Sequence, residues 1–143
     1  MITERMSDDG ASVTTPGRDA VDLPVLEQRD GVWELLGSSC ADCGRHYYPT
    51  RVLCPEDTTP CDSVVLSRRG TVYAAVEVHL GPVGFVAPYW VGWVDLPESV
   101  RVYTILDASE DGELAPGDAV ELAPRVVRTD PVPVLGPVFR PAR

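Results

Sequence analysis

The sequence predicts an all-β protein with an N-terminal zinc ribbon followed by a five-stranded OB-fold barrel. All four cysteines lie within residues 40–61, which is the clustering expected of a metal-stapled knuckle. From residue 64 onward, short segments of alternating apolar and polar residues are separated by Gly, Pro and Asp. A longer interruption follows the third barrel segment, as in small Greek-key barrels. A chain of 143 residues is long enough for a ribbon and one barrel.

The first cysteine pair has the spacing of a metal knuckle. In Cys40-Ala-Asp-Cys43, two thiolates on one tight turn can reach the same ion, and Gly44 relieves the turn sterically. A second pair about ten residues further on would complete a tetrahedral site. The sequence therefore predicts structural zinc as the cofactor.

The second half of this motif is irregular. Cys54-Pro-Glu-Asp57 has an aspartate where a second cysteine would be expected, and the remaining thiolate is Cys61. Zinc accepts carboxylate oxygen, but sulfur is the commoner structural ligand. We therefore expect Cys40, Cys43, Cys54 and Cys61 to hold the metal, with Asp57 as the alternative fourth ligand. A Cys54–Cys61 disulfide and a ribbon that has lost its metal stay open as other interpretations.

The chain divides into three parts. Residues 1–20 are polar and aperiodic and predict a disordered tail, residues 21–62 a linker and the ribbon, and residues 63–143 the barrel. In the first barrel segment, alternation predicts one face formed by Val72, Ala74, Val76, Val78 and Leu80. In the second, it predicts Trp90, Val94 and Leu96 on one face and Tyr89, Trp93 and Asp95 on the other. The expected strands are 71–80, 89–96, 101–107, 119–128 and 134–140.

The composition excludes some partners. The net charge of −10 argues against nucleic acid, because affinity for a phosphate polymer comes mostly from basic side chains. There is no apolar run long enough to cross a bilayer, and the first residues lack a signal-peptide pattern. We therefore expect a cytoplasmic protein with no membrane partner. Clustered thiols are usually metal ligands in that compartment.

Several ordered stretches carry a resemblance to a known family. These are Cys40-Ala-Asp-Cys43-Gly44-Arg45 with Tyr48-Pro49, Cys54-Pro55, residues 66–73, Gly84-Phe85 with Pro88-Tyr89, Pro116-Gly117-Asp118 and residues 137–141. Their order and spacing resemble proteins that pair a rubredoxin-like zinc ribbon with a C-terminal OB-fold. That family was formerly a domain of unknown function and is now described as acyl-CoA-associated. The chain departs from the family pattern at Asp57, where the second knuckle normally has a cysteine.

The resemblance implies a partner protein. Family members accompany thiolase-like enzymes, hydratases or aldolases that act on acyl-CoA. The expected function is a non-catalytic accessory subunit that binds such an enzyme and assists acyl-CoA binding or channelling, in a hetero-oligomer. A zinc-ribbon nucleic-acid adaptor and a stand-alone thioesterase are the alternatives.

The residues offer little chemistry of their own. His79 and Glu77 share a strand face and could transfer a proton, but no serine or free cysteine lies beside them in sequence. His46, next to the first knuckle, is a weaker candidate ligand. We expect no catalytic residue and a surface or interface role for His79.

Aromatic and basic residues are the candidates for partner or ligand contact. Phe85 and Tyr89 in a stiff Gly- and Pro-rich loop are the leading anchors, followed by Tyr48. The alternative is that Phe85 folds back over the barrel mouth. Arg125, Arg128 and Arg140 make the C-terminal part locally basic and are the candidates for a CoA phosphate.

Overall fold

The computed structural model describes residues 25–108, 112–129 and 132–142. These residues form strands and connecting segments with no helix, which confirms the all-β class. The predicted disordered tail, residues 1–20, lies outside the described residues. The strands are β1 (Leu26–Arg29), β2 (Val32–Cys40), β3 (His46–Tyr47), β4 (Cys61–Leu66), β5 (Arg69–Val78), β6 (Tyr89–Leu96), β7 (Val100–Leu106), β8 (Ala119–Leu122), β9 (Arg125–Thr129), β10 (Pro133–Gly136) and β11 (Val138–Pro141).

The first four strands form the ribbon sheet around β2. β1 and β2 make a tight hairpin whose turn, Asp30-Gly31, has positive φ at both residues (54° and 79°). Asx-Gly is the sequence favoured by this type of turn. β3 and β4 both pair with the far end of β2, so the polypeptide between them is held as a compact loop next to Cys40. The metal ligands come from this end of the sheet.

β4 joins the ribbon to the barrel. It pairs with β2 from Leu66 opposite Leu35 to Cys61 opposite Cys40. The expected domain boundary between residues 62 and 63 falls inside this strand. The chain then passes through Ser67, whose backbone N–H and hydroxyl both donate to Glu98 (2.9 and 2.8 Å), and enters β5.

Five strands close into the predicted barrel. β5 pairs with β6 and β6 with β7, both antiparallel. β7 pairs parallel with β11, β11 pairs antiparallel with β8, and β8 returns to β5 to close the barrel. The five-stranded OB-type barrel is therefore confirmed.

The fourth and fifth predicted strands are each divided. Segment 119–128 forms β8 and β9, and segment 134–140 forms β10 and β11. A proline lies at each break, Pro124 and Pro137, and proline has no N–H to donate to a ladder. β9 and β10 pair with each other as a separate two-stranded sheet.

The alternation predicted for the first barrel strand is wrong beyond Val72. A register shift between Val72 and Ala74 marks a β-bulge, which reverses the faces of the residues that follow. Val72 is buried, whereas Val76 is 59% exposed and Leu80 is 93% exposed. Ala75 packs against the core instead. In β6 the expected faces are found, with Val94 and Leu96 buried and Trp93 exposed.

The ribbon sheet and the barrel share one hydrophobic core. Leu35 and Leu66 of the ribbon sheet belong to the same buried cluster as Val94, Leu122 and Phe139 of the barrel. All five side chains are at most 2% exposed. The base of the ribbon is therefore part of the barrel core, while the metal ligands lie at the opposite end of β2 and β4.

Candidate functional site

Two knuckles of nearly identical backbone geometry face each other in the ribbon. In the first, the Gly44 N–H donates to the Cys40 carbonyl (2.8 Å) and the Cys40 N–H donates to the Arg45 carbonyl (2.9 Å). In the second, the Thr58 N–H donates to the Cys54 carbonyl (2.8 Å) and the Cys54 N–H donates to the Thr59 carbonyl (2.8 Å). The second knuckle thus repeats the first.

The correspondence extends to the turn residues and the sulfur atoms. Gly44 and Thr58, at matching positions, both have positive φ (76° and 59°). The Cys43 N–H points at Cys40 Sγ, and the Glu56 N–H points at Cys54 Sγ, each at 3.4 Å. Backbone donors of this kind stabilise thiolates.

Four donor atoms converge between the two knuckles. The Sγ atoms of Cys40, Cys43 and Cys54 and a carboxylate oxygen of Asp57 all lie within 4.8 Å of one another. Cys43 Sγ and Cys54 Sγ are 3.8 Å apart, and Cys40 Sγ is 3.7 Å from Asp57 Oδ1. A tetrahedral zinc ion with Zn–S bonds of about 2.3 Å separates its sulfur ligands by roughly 3.8 Å. The donor set and its spacing suit structural zinc.

The fourth member of this converging group is Asp57, whereas Cys61, the fourth ligand expected from residue type, is outside it. Asp57 is the third residue after Cys54, so the second knuckle places it where the first places Cys43. Cys61 lies beyond the knuckle in β4, with its Sγ 4.0 Å from the Thr59 carbonyl. All four cysteines are free thiols, so the structure contains no Cys54–Cys61 disulfide.

Local hydrogen bonds favour the charged form of the carboxylate. The Thr59 N–H donates to Asp57 Oδ1 (2.9 Å), and this bond lowers the pKa of Asp57 to about 2. Burial alone would raise the pKa of Cys54, but the Tyr47 hydroxyl, 3.3 Å from Cys54 Sγ, and the Glu56 amide lower it. The Cys43 amide lowers the pKa of Cys40, but burial and the Cys43 and Cys54 side chains raise it above its ordinary value. Asp57 and Cys54 are therefore the members of the group whose surroundings favour the charged form that binds a cation.

A second feature is a small cavity between the loop after β5 and strand β9. Phe85 and Tyr89 are stacked on one side of it, with ring centroids 5.6 Å apart. Arg125 and Arg128 lie on the other side, and the Thr129 N–H ties β9 to the Gly84 carbonyl (3.0 Å). The cavity has a volume of about 110 Å³. Four residues predicted to bind a partner or ligand therefore surround one cavity.

The three candidate arginines differ in their neighbours. Arg125 donates to both oxygens of Asp107, with Nη2 2.7 Å from Oδ1, and Arg140 is 3.3 Å from Glu121 Oε2. Within the described residues, Arg128 has no acidic partner. The sequence could not reveal that two of the three charges are already compensated, because Asp107 and Glu121 are brought close only by the barrel.

The remaining candidate residues lie apart from the cavity and from the metal group, which consists of Cys40, Cys43, Cys54 and Asp57. Tyr48 packs against the hydrophobic core, and burial raises its pKa to about 12. His79 is an exposed side chain 3.6 Å from Glu77 Oε1. His46 pairs with Ser39 in the ribbon sheet and does not belong to the metal group.

Fold and metal site together define a zinc-ribbon protein with an appended OB-fold barrel. The sequence matches the ChsH2 rubredoxin-like zinc ribbon domain over residues 34–57 and the ChsH2 C-terminal OB-fold domain over residues 63–125. The first match ends at Asp57. The chain belongs to this ChsH2 family, also known as DUF35.

Named relatives are found among enzyme subunits and scaffold proteins. The chain is 36% identical over 109 residues to the benzoylsuccinyl-CoA thiolase subunit BbsA of Thauera aromatica, which covers 74% of this chain and 75% of that protein. It is 30% identical over 102 residues to a DUF35 domain-containing scaffold protein of Methanothermobacter thermautotrophicus, covering 68% of this chain and 77% of the relative.

A solved structure has the same fold. It is described as the Ltp2-ChsH2(DUF35) aldolase and matches with a TM-score of 0.64 at 29% identity, over 77% of this chain and 86% of that chain. The described part of the present chain has no helix with the length and apolar character needed to cross a membrane.

Proposed function

We propose that this chain is a non-catalytic accessory subunit that binds a thiolase-like or aldolase partner and helps to hold acyl-CoA at the partner's active site. The likeness to a named thiolase subunit, over three quarters of both proteins, is the observation that carries this proposal. The Ltp2-ChsH2(DUF35) aldolase supports the aldolase as a second partner class. A hydratase, the third class expected from the sequence, rests on the family resemblance.

The cavity beside the Phe85–Tyr89 stack, called the aromatic cavity below, has a size that supports a shared substrate site. Its volume of about 110 Å³ is well below the roughly 300–1,000 Å³ of pockets that hold a small molecule on their own. It can accept one group, such as a phosphate or part of a pantetheine arm, and leaves the rest of acyl-CoA to a partner. The chain would thus contribute one wall of a site completed on assembly.

The charges around this cavity favour an anion. Arg128 is the cavity arginine without an acidic partner among the described residues, whereas Arg125 is held by Asp107. A guanidinium binds phosphate with strong, directed hydrogen bonds. We therefore assign the CoA phosphate contact to Arg128, with Arg125 oriented beside it by Asp107 and with Arg140 outside the cavity.

The zinc has a structural role in this proposal. Cys40, Cys43, Cys54 and Asp57 would hold one ion, which stabilises the two knuckles against each other when bound. Four protein ligands leave no open position for a substrate. The metal therefore shapes the ribbon surface and does not take part in the reaction.

The alternative function, a stand-alone thioesterase, has little support from the geometry. A thioesterase needs a nucleophile or an activated water beside a base. The His79 side chain is 72% exposed, and its ionic contact in the described structure is Glu77. The nucleic-acid alternative is disfavoured by the net charge of −10, because affinity for a phosphate polymer comes mostly from basic side chains.

Purification of the tagged chain from its own host tests the proposed partnership. Mass spectrometry of the purified complex should identify a thiolase-like protein or an aldolase, and light scattering of the reconstituted pair should give a hetero-oligomer of fixed stoichiometry. A chain that elutes alone, and that also hydrolyses acyl-CoA in a manner abolished by His79→Ala, would decide for the thioesterase. Submicromolar binding to single-stranded DNA or RNA would decide for the adaptor.

A further inference from the structure

The outer surface of three neighbouring barrel strands carries an unusual set of exposed aromatic residues. On β6 and β7, the residues that alternate with buried ones such as Val94 and Val102 point away from the core. Together with outward residues of β5, they form a surface that we call the outer barrel face. Its members are Tyr73, Val76, Val91, Trp93, Tyr103 and Ile105.

Two aromatic contacts form the centre of this face. Trp93 and Tyr103 are directly opposite each other on adjacent strands, with ring centroids 4.9 Å apart. The Arg101 guanidinium lies 3.5 Å from the centroid of Tyr73, which the β-bulge places beside these rings. Trp93 is 41% exposed, Tyr73 52% and Tyr103 56%. Large side chains half open to solvent in one cluster mark an interaction surface more often than scattered ones do.

The face continues from this centre to the aromatic cavity. Val76 is opposite Val91, and Val91 is opposite Ile105, in the next outward row of the same three strands. Ile105 and Tyr89 both line the cavity, and Tyr89 precedes Val91 on the same side of β6. An apolar surface therefore runs without interruption along β6 from the Phe85–Tyr89 stack to Trp93.

The dimensions of the face suit the centre of a protein interface. From Tyr89 to Asp95 the strand extends roughly 20 Å, and three strands span about 10–15 Å, giving an area on the order of 200–300 Å². Each partner in a stable complex buries about 800 Å². The face is thus large enough to be the apolar centre, with neighbouring loops as the rim.

Charge selects the kind of occupant. The two charged groups at this centre, Arg101 and Asp95, neutralise each other through two hydrogen bonds of 2.6 and 3.1 Å. A phosphate polymer would find no uncompensated cation there. Tyr, Trp and Arg are the residues that dominate binding energy at protein interfaces. Because the chain has a net charge of −10, a complementary protein surface is apolar at its centre and basic at its rim.

We propose that the outer barrel face is the surface on which the thiolase-like or aldolase partner docks, with Trp93 and Tyr103 as the central anchors. The inference rests on the proposed function and adds the location of the surface that binds the partner. The docked partner reaches the aromatic cavity along β6, which places the shared acyl-CoA site at the edge of the interface.

The test uses the full chain and the thiolase-like or aldolase protein purified with it from the host. Trp93→Thr and Tyr103→Thr keep a residue that favours strands and remove the rings, and Val32→Thr, at an exposed position of β2 in the ribbon sheet, is the matched control. We expect each barrel variant to weaken the complex at least tenfold in calorimetric titration, and the control to leave the dissociation constant unchanged. Thermal unfolding of each isolated variant checks that the barrel is folded. Should a threonine variant not fold, Tyr103→Arg introduces a charge at an exposed position and is expected to weaken binding by at least as much.

The outcomes separate the location from the function. If a thiolase-like or aldolase partner binds but folded Trp93 and Tyr103 variants bind it as tightly as the original chain, the docking surface lies elsewhere and the proposed function stands. If no such partner is found, both proposals fall. Dimerisation of the chain that Tyr103→Arg abolishes, or oligo(dT) binding lost in Trp93→Thr, would assign the face to another occupant and overturn the inference.

Discussion

Cys40 and Asp57 face each other across the two knuckles, with Sγ 3.7 Å from Oδ1. Their positions follow from the repeated backbone geometry, since Asp57 is placed by Cys54 as Cys43 is placed by Cys40. An aspartate can take the place of a cysteine here because zinc also binds carboxylate oxygen. The Thr59 N–H donates to Oδ1 and leaves Oδ2, 3.8 Å from Cys40 Sγ, available to a metal ion.

This arrangement predicts which variants lose zinc. Asp57→Ala removes a ligand and should lower zinc affinity at least tenfold, whereas Cys61→Ser should retain one equivalent of zinc. Metal analysis and competition with a chromophoric chelator measure both. Asp62→Ala, an exposed carboxylate next to Cys61, is the control. Loss of zinc from Cys61→Ser with full retention in Asp57→Ala would restore Cys61 as the fourth ligand.

The shared core predicts coupled stability of the ribbon and the barrel. Leu35 belongs to the ribbon sheet but is fully buried in the cluster that contains Phe139 of the barrel. Leu35→Ala should lower the free energy of unfolding of the whole chain by about 2–5 kcal/mol, as for other large-to-small changes in cores. Urea unfolding followed by tryptophan fluorescence measures it, with Val83→Ala, at a position 79% exposed, as the control. A barrel transition unchanged in Leu35→Ala would mean that the two units fold independently.

The cavity predicts a difference between two arginines. In the assembled enzyme, Arg128→Gln should raise the KM for acyl-CoA about tenfold, because a hydrogen bond to a charged group contributes about 1.5–3 kcal/mol. The value of kcat should change little, since the contact is far from the bond that reacts. Arg140→Gln should leave KM unchanged, because Arg140 pairs with Glu121 on the barrel and lies outside the cavity. Equal effects of the two variants would indicate a general charge effect.

Phe85 is predicted to act at the edge of the interface. Phe85→Ala removes one ring of the Phe85–Tyr89 stack and should weaken the complex tenfold or more, while the isolated chain keeps its fold and its zinc. Calorimetric titration against the partner gives the dissociation constant, and circular dichroism with metal analysis gives the controls. An unchanged dissociation constant would show that Phe85 packs only against its own barrel, as the alternative sequence interpretation has it.

The sequence predicts the architecture because simple patterns determine it. Val94 and Leu96 alternate with Trp93 and Asp95, and the structure buries the first pair and exposes Trp93. The bulge after Val72 could not be predicted, because an extra residue in a strand has no distinctive residue type. Its effect on Val76 and Leu80 is large, since a shift of one residue exchanges the faces of a strand.

The site was predicted less completely, for two physical reasons. The frequency of zinc ligands favoured Cys61, whereas the converging donors include Asp57, which follows Cys54 at the same spacing as Cys43 follows Cys40. The pairing of Arg125 with Asp107 depends on strands that are distant in sequence and meet only in the folded barrel.

Reconstituted turnover tests the central claim most directly. Acyl-CoA conversion is measured for the purified chain, for its thiolase-like or aldolase partner and for the two together, with the zinc content of the chain verified. We predict no turnover by the chain alone, and an increase of at least tenfold in kcat/KM when it is added to the partner. Full activity of the partner without the chain, or turnover by the chain alone, would contradict the assignment as an accessory subunit.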